Sequence, residues 1–222
     1  LNALQAVLFD LDGTLADTAP DLAAALNRLL CIEGREPLAY AQVRPWVSHG
    51  GRYMICQGFD LATEDPQVAP LCQRFVADYA AHIAQHTRLF PGMDKVLAHL
   101  EQQGLPWGIV TNKPTWLTQP LLTEMGLAQR AGCAISGDSL VAKKPHPLPL
   151  VHACEQLAVA AAHVLYVGDA QRDIEAGRRA GTRTAVALFG YLGSQDAPES
   201  WGADWLFETP ACILEKLLGA KD

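Results

Sequence analysis

The sequence predicts an α/β chain: a parallel sheet flanked by helices, with a small helical domain inserted after the first strand. Three observations carry this. Short apolar runs rich in β-formers alternate with amphipathic stretches of helical period. One long segment near the N-terminus is helical throughout and breaks that alternation. Clusters of polar residues follow the apolar runs directly, as they do where a parallel sheet presents its carboxyl edge.

The expected strands are Ala6–Phe9, Trp107–Val110, about Cys133–Ile135, Val164–Val167, Thr184–Leu188 and Trp205–Phe207. Such short runs with little alternation suit a sheet buried on both faces. Three helices are marked most clearly. Met93, Val96, Leu97 and Leu100 recur at helical spacing, and Gly104 and Pro106 supply the stop. Pro114 opens a helix carrying Leu117, Leu121, Leu122 and Met125, closed by Gly126. Thr209 and Pro210 read as an N-cap and first helical residue, followed by Ile213, Leu214, Leu217 and Leu218 and ended by Gly219.

Between the first two strands, Leu22, Leu26, Leu29 and Leu30 share one helical face, and Val68, Leu71, Cys72, Phe75, Tyr79 and Ile83 share another. That is far more helix than a crossover needs. Residues 18–88 are therefore expected to form a helical cap domain, and residues 1–17 and 89–222 the α/β core. Pro91-Gly92 marks the return to the sheet.

The 222 residues suffice for such a core with an insert, and half are apolar. Lysine and arginine number 17 against 24 acidic residues, a net charge of −7, with no basic stripe. This argues against nucleic acid or an anionic membrane surface as the main partner, while a few local cations still suffice for a small anion. No apolar run is long enough to span a bilayer and no signal peptide is visible, so the expected location is the cytoplasm. The six cysteines form no Cys-x-x-Cys pair and read as reduced, mostly buried thiols. The chain opens on Leu1 rather than methionine, which leaves its native start open, and nothing in the sequence reads out the oligomeric state.

Four polar clusters each follow a strand, or the loop after one. Asp10-Leu11-Asp12-Gly13-Thr14 sets two carboxylates one residue apart beside a turn-permissive glycine. Such a pair can meet a metal, or divide nucleophilic attack and proton handling between them. Thr111-Asn112-Lys113-Pro114 offers a hydroxyl and free N–H groups at a helix start, an anion site. In Lys144-Pro145-His146-Pro147 the prolines stiffen a loop and hold the Lys144 head in one place. Gly168-Asp169 through Asp173 places two carboxylates one helical turn apart.

In this order the four clusters resemble the haloacid dehalogenase superfamily of phosphotransferases over essentially the whole chain. Asp10-x-Asp12-Gly-Thr is similar to its first motif, Thr111 to its second, Lys144 to its third and Gly-Asp169-x-x-x-Asp173 to its fourth. Within it, Phe9–Thr18, Val110–Pro114 and Lys144–Pro147 are similar to bacterial phosphoglycolate phosphatases. Gly181–Ala185, Gly190-Tyr191 and Trp201–Asp204 lean toward the related N-acetylmuramic acid 6-phosphate phosphatases.

The resemblance implies a Rossmann-like core with a helical cap, and a phosphomonoesterase acting on a small phosphorylated metabolite. It implies Asp10 as nucleophile, forming an aspartyl-phosphate, and Asp12 as the proton donor and acceptor. It implies Mg²⁺ on Asp10, Asp169 and the Asp12 carbonyl, Thr111, Asn112 and Lys144 around the phosphoryl group, and Asp173 orienting Lys144 or a metal-bound water.

Other readings fit less well. A signalling receiver domain has no proton-handling Asp12 and no helical insert. A non-catalytic scaffold would not keep every catalytic residue type. A dehalogenase has no use for Asp12, whereas a phosphomutase shares all four clusters and differs only in its product. In the insert, Ser48-His49-Gly50-Gly51-Arg52 interrupts the helices with polar residues. His49, Gly50 and Arg52 are expected to meet the non-phosphate end of the substrate.

Overall fold

The computed structural model describes residues 4–218. Eight strands and nine α-helices follow along the described chain. Strand β1 (Ala6–Phe9) leads to β2 (Ala16–Asp17), then helices α1 (Ala19–Ile32), α2 (Tyr40–Val43), α3 (Gly51–Phe59) and α4 (Val68–Ala81). Next come β3 (Arg88–Leu89), α5 (Met93–Gln102), β4 (Trp107–Val110), α6 (Thr115–Glu124), β5 (Cys133–Ile135) and α7 (Leu148–Gln156). Strand β6 (Val164–Gly168), α8 (Gln171–Ala180), β7 (Arg183–Ala187), β8 (Trp205–Phe207) and α9 (Pro210–Leu218) complete it. Gly219, expected to end α9, lies outside the described residues.

Six strands form one parallel sheet in the order β5-β4-β1-β6-β7-β8. Side chains alternate across it. Val7 and Phe9 join a core with α5 and α6 residues such as Met93, Val96 and Leu121. Ala6 and Leu8 face the other way, onto Leu150 and Ala153 of α7 and Ala176 of α8. All four β1 residues are buried, which explains their unbroken apolar run.

The segment between β2 and β3 holds helices and no strand, with a six-residue 3₁₀ turn, Arg44–His49, between α2 and α3. Helices α1, α3 and α4 pack on one another through Leu26, Leu29, Ile55, Leu71 and Phe75. Its two ends are held side by side: Ala16 pairs with Leu89 and Asp17 with Arg88 in a two-stranded antiparallel ribbon. Buried Asp21 fixes the returning chain by accepting the His86 N–H at 2.9 Å, the Thr87 N–H at 2.9 Å and the Thr87 hydroxyl at 2.7 Å. Two residues are too few for a pattern of period two to show, so this ribbon leaves no trace in the sequence.

The cysteines are free thiols; Cys56, Cys133 and Cys154 are buried, but Cys31 is exposed. No helix among the described residues is long and apolar enough to cross a membrane.

Candidate active site

Strand β1 lies between β4 and β6, with Phe9 in register with Ile109 on one side and Val167 on the other. The residues that follow these strands therefore emerge together: Asp10, Thr111 and Asp169. This convergence is the outcome the spacing predicted.

Asp10 is buried, and its Oδ1 accepts the Leu11 N–H at 2.7 Å and lies 2.9 Å from the Lys144 ammonium. Burial pushes its carboxyl up to about 6, against the pull of Lys144. Lys144 is itself buried. Its Nζ reaches Asp173 Oδ1 at 2.7 Å, the Val110 carbonyl at 2.8 Å and the Tyr166 hydroxyl at 2.9 Å. Asp173 also accepts the Ala170 N–H at 3.0 Å. Burial works against its charge, but Lys144 and Arg172 outweigh it and hold the Asp173 carboxyl low. Asp173 thus locks the Lys144 head.

Asn112 holds the lysine loop. Its side-chain amide is engaged on both sides of the Lys144 backbone, donating to the carbonyl at 2.9 Å and accepting the N–H at 3.0 Å. One N–H and one lone pair of the amide remain, and Asn112 also lines the cavity beside Asp10. Thr111 is buried and accepts the Lys113 N–H at 3.1 Å, leaving its hydroxyl proton to donate.

Asp169 is enclosed. Its Oδ2 accepts the Ser48 hydroxyl at 2.6 Å and the Tyr191 N–H at 2.9 Å, whereas its Oδ1 is buried without any hydrogen-bond partner. Burial, reinforced by the charges of Asp10 and Asp173, pushes its carboxyl up to about 7. An orphaned carboxylate oxygen among three buried carboxylates whose oxygens lie within 4.8 Å of one another fits a cation. These side chains can hold a metal ion. Asp173, the third of them, has both oxygens engaged, by Lys144 and Tyr166 on one and the Ala170 N–H on the other, whereas Asp169 Oδ1 has no partner. Gly13 makes room for this: its φ is +87°, and a Cβ there would meet Asp169 Oδ2 at 2.1 Å.

The Asp12 side chain points away from that group. Its Oδ1 accepts the Thr18 hydroxyl at 2.6 Å and pairs with Lys113 Nζ at 2.9 Å. Burial opposes the Lys113 charge, but Asp12 and then Tyr79 outweigh it and raise the ammonium above its ordinary value. The same ammonium stands 4.6 Å from the centre of the Tyr79 ring, on α4 of the helical segment.

Asp10, Asp12 and Thr111 open into a cavity of about 420 Å³. From the helical segment, His49 and Gly50 also line it, while Met54, Phe75, Val76, Trp116 and Leu117 give it apolar walls. Gly50 has a φ of +88°, so this turn requires glycine. Arg52 does not line the cavity. It is exposed, one step into α3, and donates to the Thr63 carbonyl, so the structure does not bring it together with His49 and Gly50 at the cavity. Ser48, Lys113 and Arg172 are the site residues that sequence reasoning passed over. Each stood inside a cluster already singled out, but nothing in residue type distinguished it from a solvated neighbour.

A family model described as haloacid dehalogenase-like hydrolase matches residues 7–187. The chain belongs to the haloacid dehalogenase-like hydrolases. Among its relatives is an N-acetylmuramic acid 6-phosphate phosphatase of Pseudomonas aeruginosa, 42% identical over 96% of this chain and 95% of the relative. A phosphoglycolate phosphatase of Xanthomonas campestris is 45% identical over 95% of each chain. A crystal structure of a predicted phosphoglycolate phosphatase from Haemophilus somnus superposes with a TM-score of 0.83. It is 29% identical, over 96% of this chain and 97% of that one. Like these relatives of the hydrolase family, the chain is a phosphatase, a phosphoric monoester hydrolase.

Proposed function

We propose that this hydrolase removes the phosphoryl group from a small phosphorylated metabolite through an aspartyl-phosphate on Asp10, with Mg²⁺ as its metal. One observation carries the reading: a single buried lysine, Lys144, joins Asp10 to Asp173, beside a carboxylate oxygen on Asp169 that has no partner. Asp10 and Asp169, with the Asp12 backbone carbonyl, would hold Mg²⁺, a small hard cation suited to oxygen ligands. When bound, it offsets the repulsion between carboxylate and phosphoryl group and polarises the latter.

The residues then divide the work. An Asp10 carboxylate oxygen forms a bond to phosphorus as the bond from phosphorus to the leaving oxygen breaks, and that oxygen keeps the electron pair. Asp12, set by Thr18 and Lys113, gives the leaving oxygen a proton. In the second half Asp12 takes a proton from water, whose oxygen attacks phosphorus and frees Asp10. Thr111 donates its hydroxyl to a phosphoryl oxygen, and Lys144 holds the nucleophile in line. Residues 18–88 act as a cap that keeps bulk water from the acyl phosphate, with His49 and Gly50 facing the leaving group.

The relatives' names divide the substrate question. The first reading is a phosphoglycolate phosphatase. The volume and apolar walls of the cavity favour a second, N-acetylmuramic acid 6-phosphate or another sugar phosphate, since a two-carbon acid would leave much of about 420 Å³ to water. A phosphate-release screen with both compounds and common sugar phosphates, with and without Mg²⁺, tests the proposal. Metal-dependent release of inorganic phosphate is expected. A phosphorylated isomer as the product would make the protein a mutase instead.

A further inference from the structure

Of the two lysines nearest the reacting groups, Lys144 has no donor to spare, and the charge of Lys113 is already paired with Asp12. An ammonium offers three N–H groups. Lys144 Nζ already has four acceptors at 2.7 to 2.9 Å: Asp173, Val110, Tyr166 and Asp10. Lys113 Nζ is paired with Asp12 at 2.9 Å and covered by the Tyr79 ring. An arriving phosphoryl group brings three oxygens and up to two negative charges into a site already holding Asp10, Asp12 and Asp169. The Thr111 hydroxyl answers one oxygen and carries no charge.

Arg172 is the remaining cation beside Asp10. It is the second residue of α8, one position before the lysine-locking Asp173, and it lines the same cavity as Asp10, Asp12 and Thr111. Among the described residues its guanidinium makes no hydrogen bond and no ion pair within 4 Å, although the side chain is half-buried and faces the charges of Asp173, Asp10 and Asp169. A half-buried guanidinium without a partner is uncommon, because it has given up water for nothing. Its five donors lie in a rigid plane that matches two oxygens of one phosphoryl group. Lys143 also lines the cavity, but it is exposed and keeps its water.

We infer that Arg172 is a phosphoryl-binding residue of this site, supplying an unpaired charge and paired donors where Lys144 has no donor left and Lys113 is neutralised by Asp12. The inference rests on the reading of the Asp10 cavity as the phosphoryl site. It differs from a role in which Arg172 merely balances three buried carboxylates, since charge balance alone requires no contact with the ligand.

The test is the affinity for inorganic phosphate, by titration calorimetry on the whole chain, with Mg²⁺ and again in EDTA. Arg172→Met is expected to weaken phosphate binding by about 10–100-fold in both buffers, the usual cost of a charged hydrogen bond, and Arg172→Lys to recover part of it. Turnover of acetyl phosphate and p-nitrophenyl phosphate should fall by similar factors, because the phosphoryl group is common to both. Unchanged phosphate affinity beside an altered Tm would reduce Arg172 to charge balance and overturn the inference. If neither variant folds, modification of the wild-type protein with phenylglyoxal decides. Protection of Arg172 by phosphate upholds the contact, and modification at the same rate with and without phosphate refutes it. Wild-type protein that binds phosphate through Arg172 yet releases none from acetyl phosphate would sink the phosphatase reading and leave this one standing.

Discussion

On the core side of the cavity, Lys144 ties Asp10 to Asp173 and Lys113 ties Asp12, so the charged groups stand in fixed places at the carboxyl edge of the sheet. On the helical side the walls are largely apolar, and the polar group offered, His49, is exposed and stacked at 4.6 Å on Tyr53. A phosphoryl group is the same in every substrate, so its receptor can be rigid and charged. Leaving groups differ, and apolar side chains on a separate helical layer can change without disturbing the charges below. Two joints connect the walls: Ser48 on Asp169, and Tyr79 on Lys113. The contrast predicts that substitutions in the core wall abolish chemistry on every substrate, and that those in the helical wall act selectively.

The largest effect is expected at Asp10. Asp10→Asn should reduce phosphate release by a factor on the order of 10⁴–10⁶, comparable to loss of other enzymic nucleophiles, with the circular dichroism spectrum unchanged. Asp12→Asn comes next. With p-nitrophenyl phosphate, whose leaving group needs no proton, it should still give a burst of nitrophenol, and then hydrolyse the intermediate about 10²–10⁴-fold slowly. Equal loss in both half-reactions would place Asp12 outside proton transfer.

Metal removal separates the walls differently. EDTA should stop turnover and Mg²⁺ restore it. Stability gives an independent readout. Asp10 and Asp169 have native values pushed up to about 6 and about 7 from an ordinary 3.8. Stability from their raised affinity for protons is present in acid and is lost as pH rises from about 4 through 7, where the native carboxylates must ionise against each other. Metal-free protein should therefore lose Tm over that window, and Mg²⁺ should raise Tm by more at pH 8 than at pH 5. A metal effect on Tm independent of pH would contradict the Asp10–Asp169 assignment. The smallest effects belong to the helical wall. His49→Ala should cost the preferred substrate several-fold to about 10-fold in kcat/KM and spare acetyl phosphate. Arg52→Ala, whose side chain lies outside the cavity, should leave both within about two-fold.

The same division governs what the sequence revealed. All six sheet strands are legible because a buried parallel strand is a short apolar run, and β7 is displaced by only one residue, Arg183–Ala187 against an expected Thr184–Leu188. Asp10, Thr111 and Asp169 are legible because each follows a strand, and topology alone brings strand ends together; Lys144, in the loop between β5 and α7, is legible through the prolines around it. Partner choice is not written locally. Nothing in Thr111-Asn112-Lys113 says that Asn112 clamps the Lys144 backbone while Lys113 reaches Asp12, for these contacts span 32 and 101 residues. The helical wall is less legible still. Helical period identifies which face is buried, yet His49 and Arg52 differ in role because α3 begins between them and turns Arg52 outward.

Asp10 itself is expected to carry the phosphoryl group. Borohydride added during steady turnover reduces an acyl phosphate to the alcohol, which would convert Asp10 to homoserine and be read by mass spectrometry of the peptide containing residues 6–17. Homoserine is expected at position 10, dependent on substrate, more abundant in Asp12→Asn and missing in Asp10→Asn. Undiminished turnover with Asp10 unmodified, or with the reduced residue at Asp12 or Asp169, would contradict it.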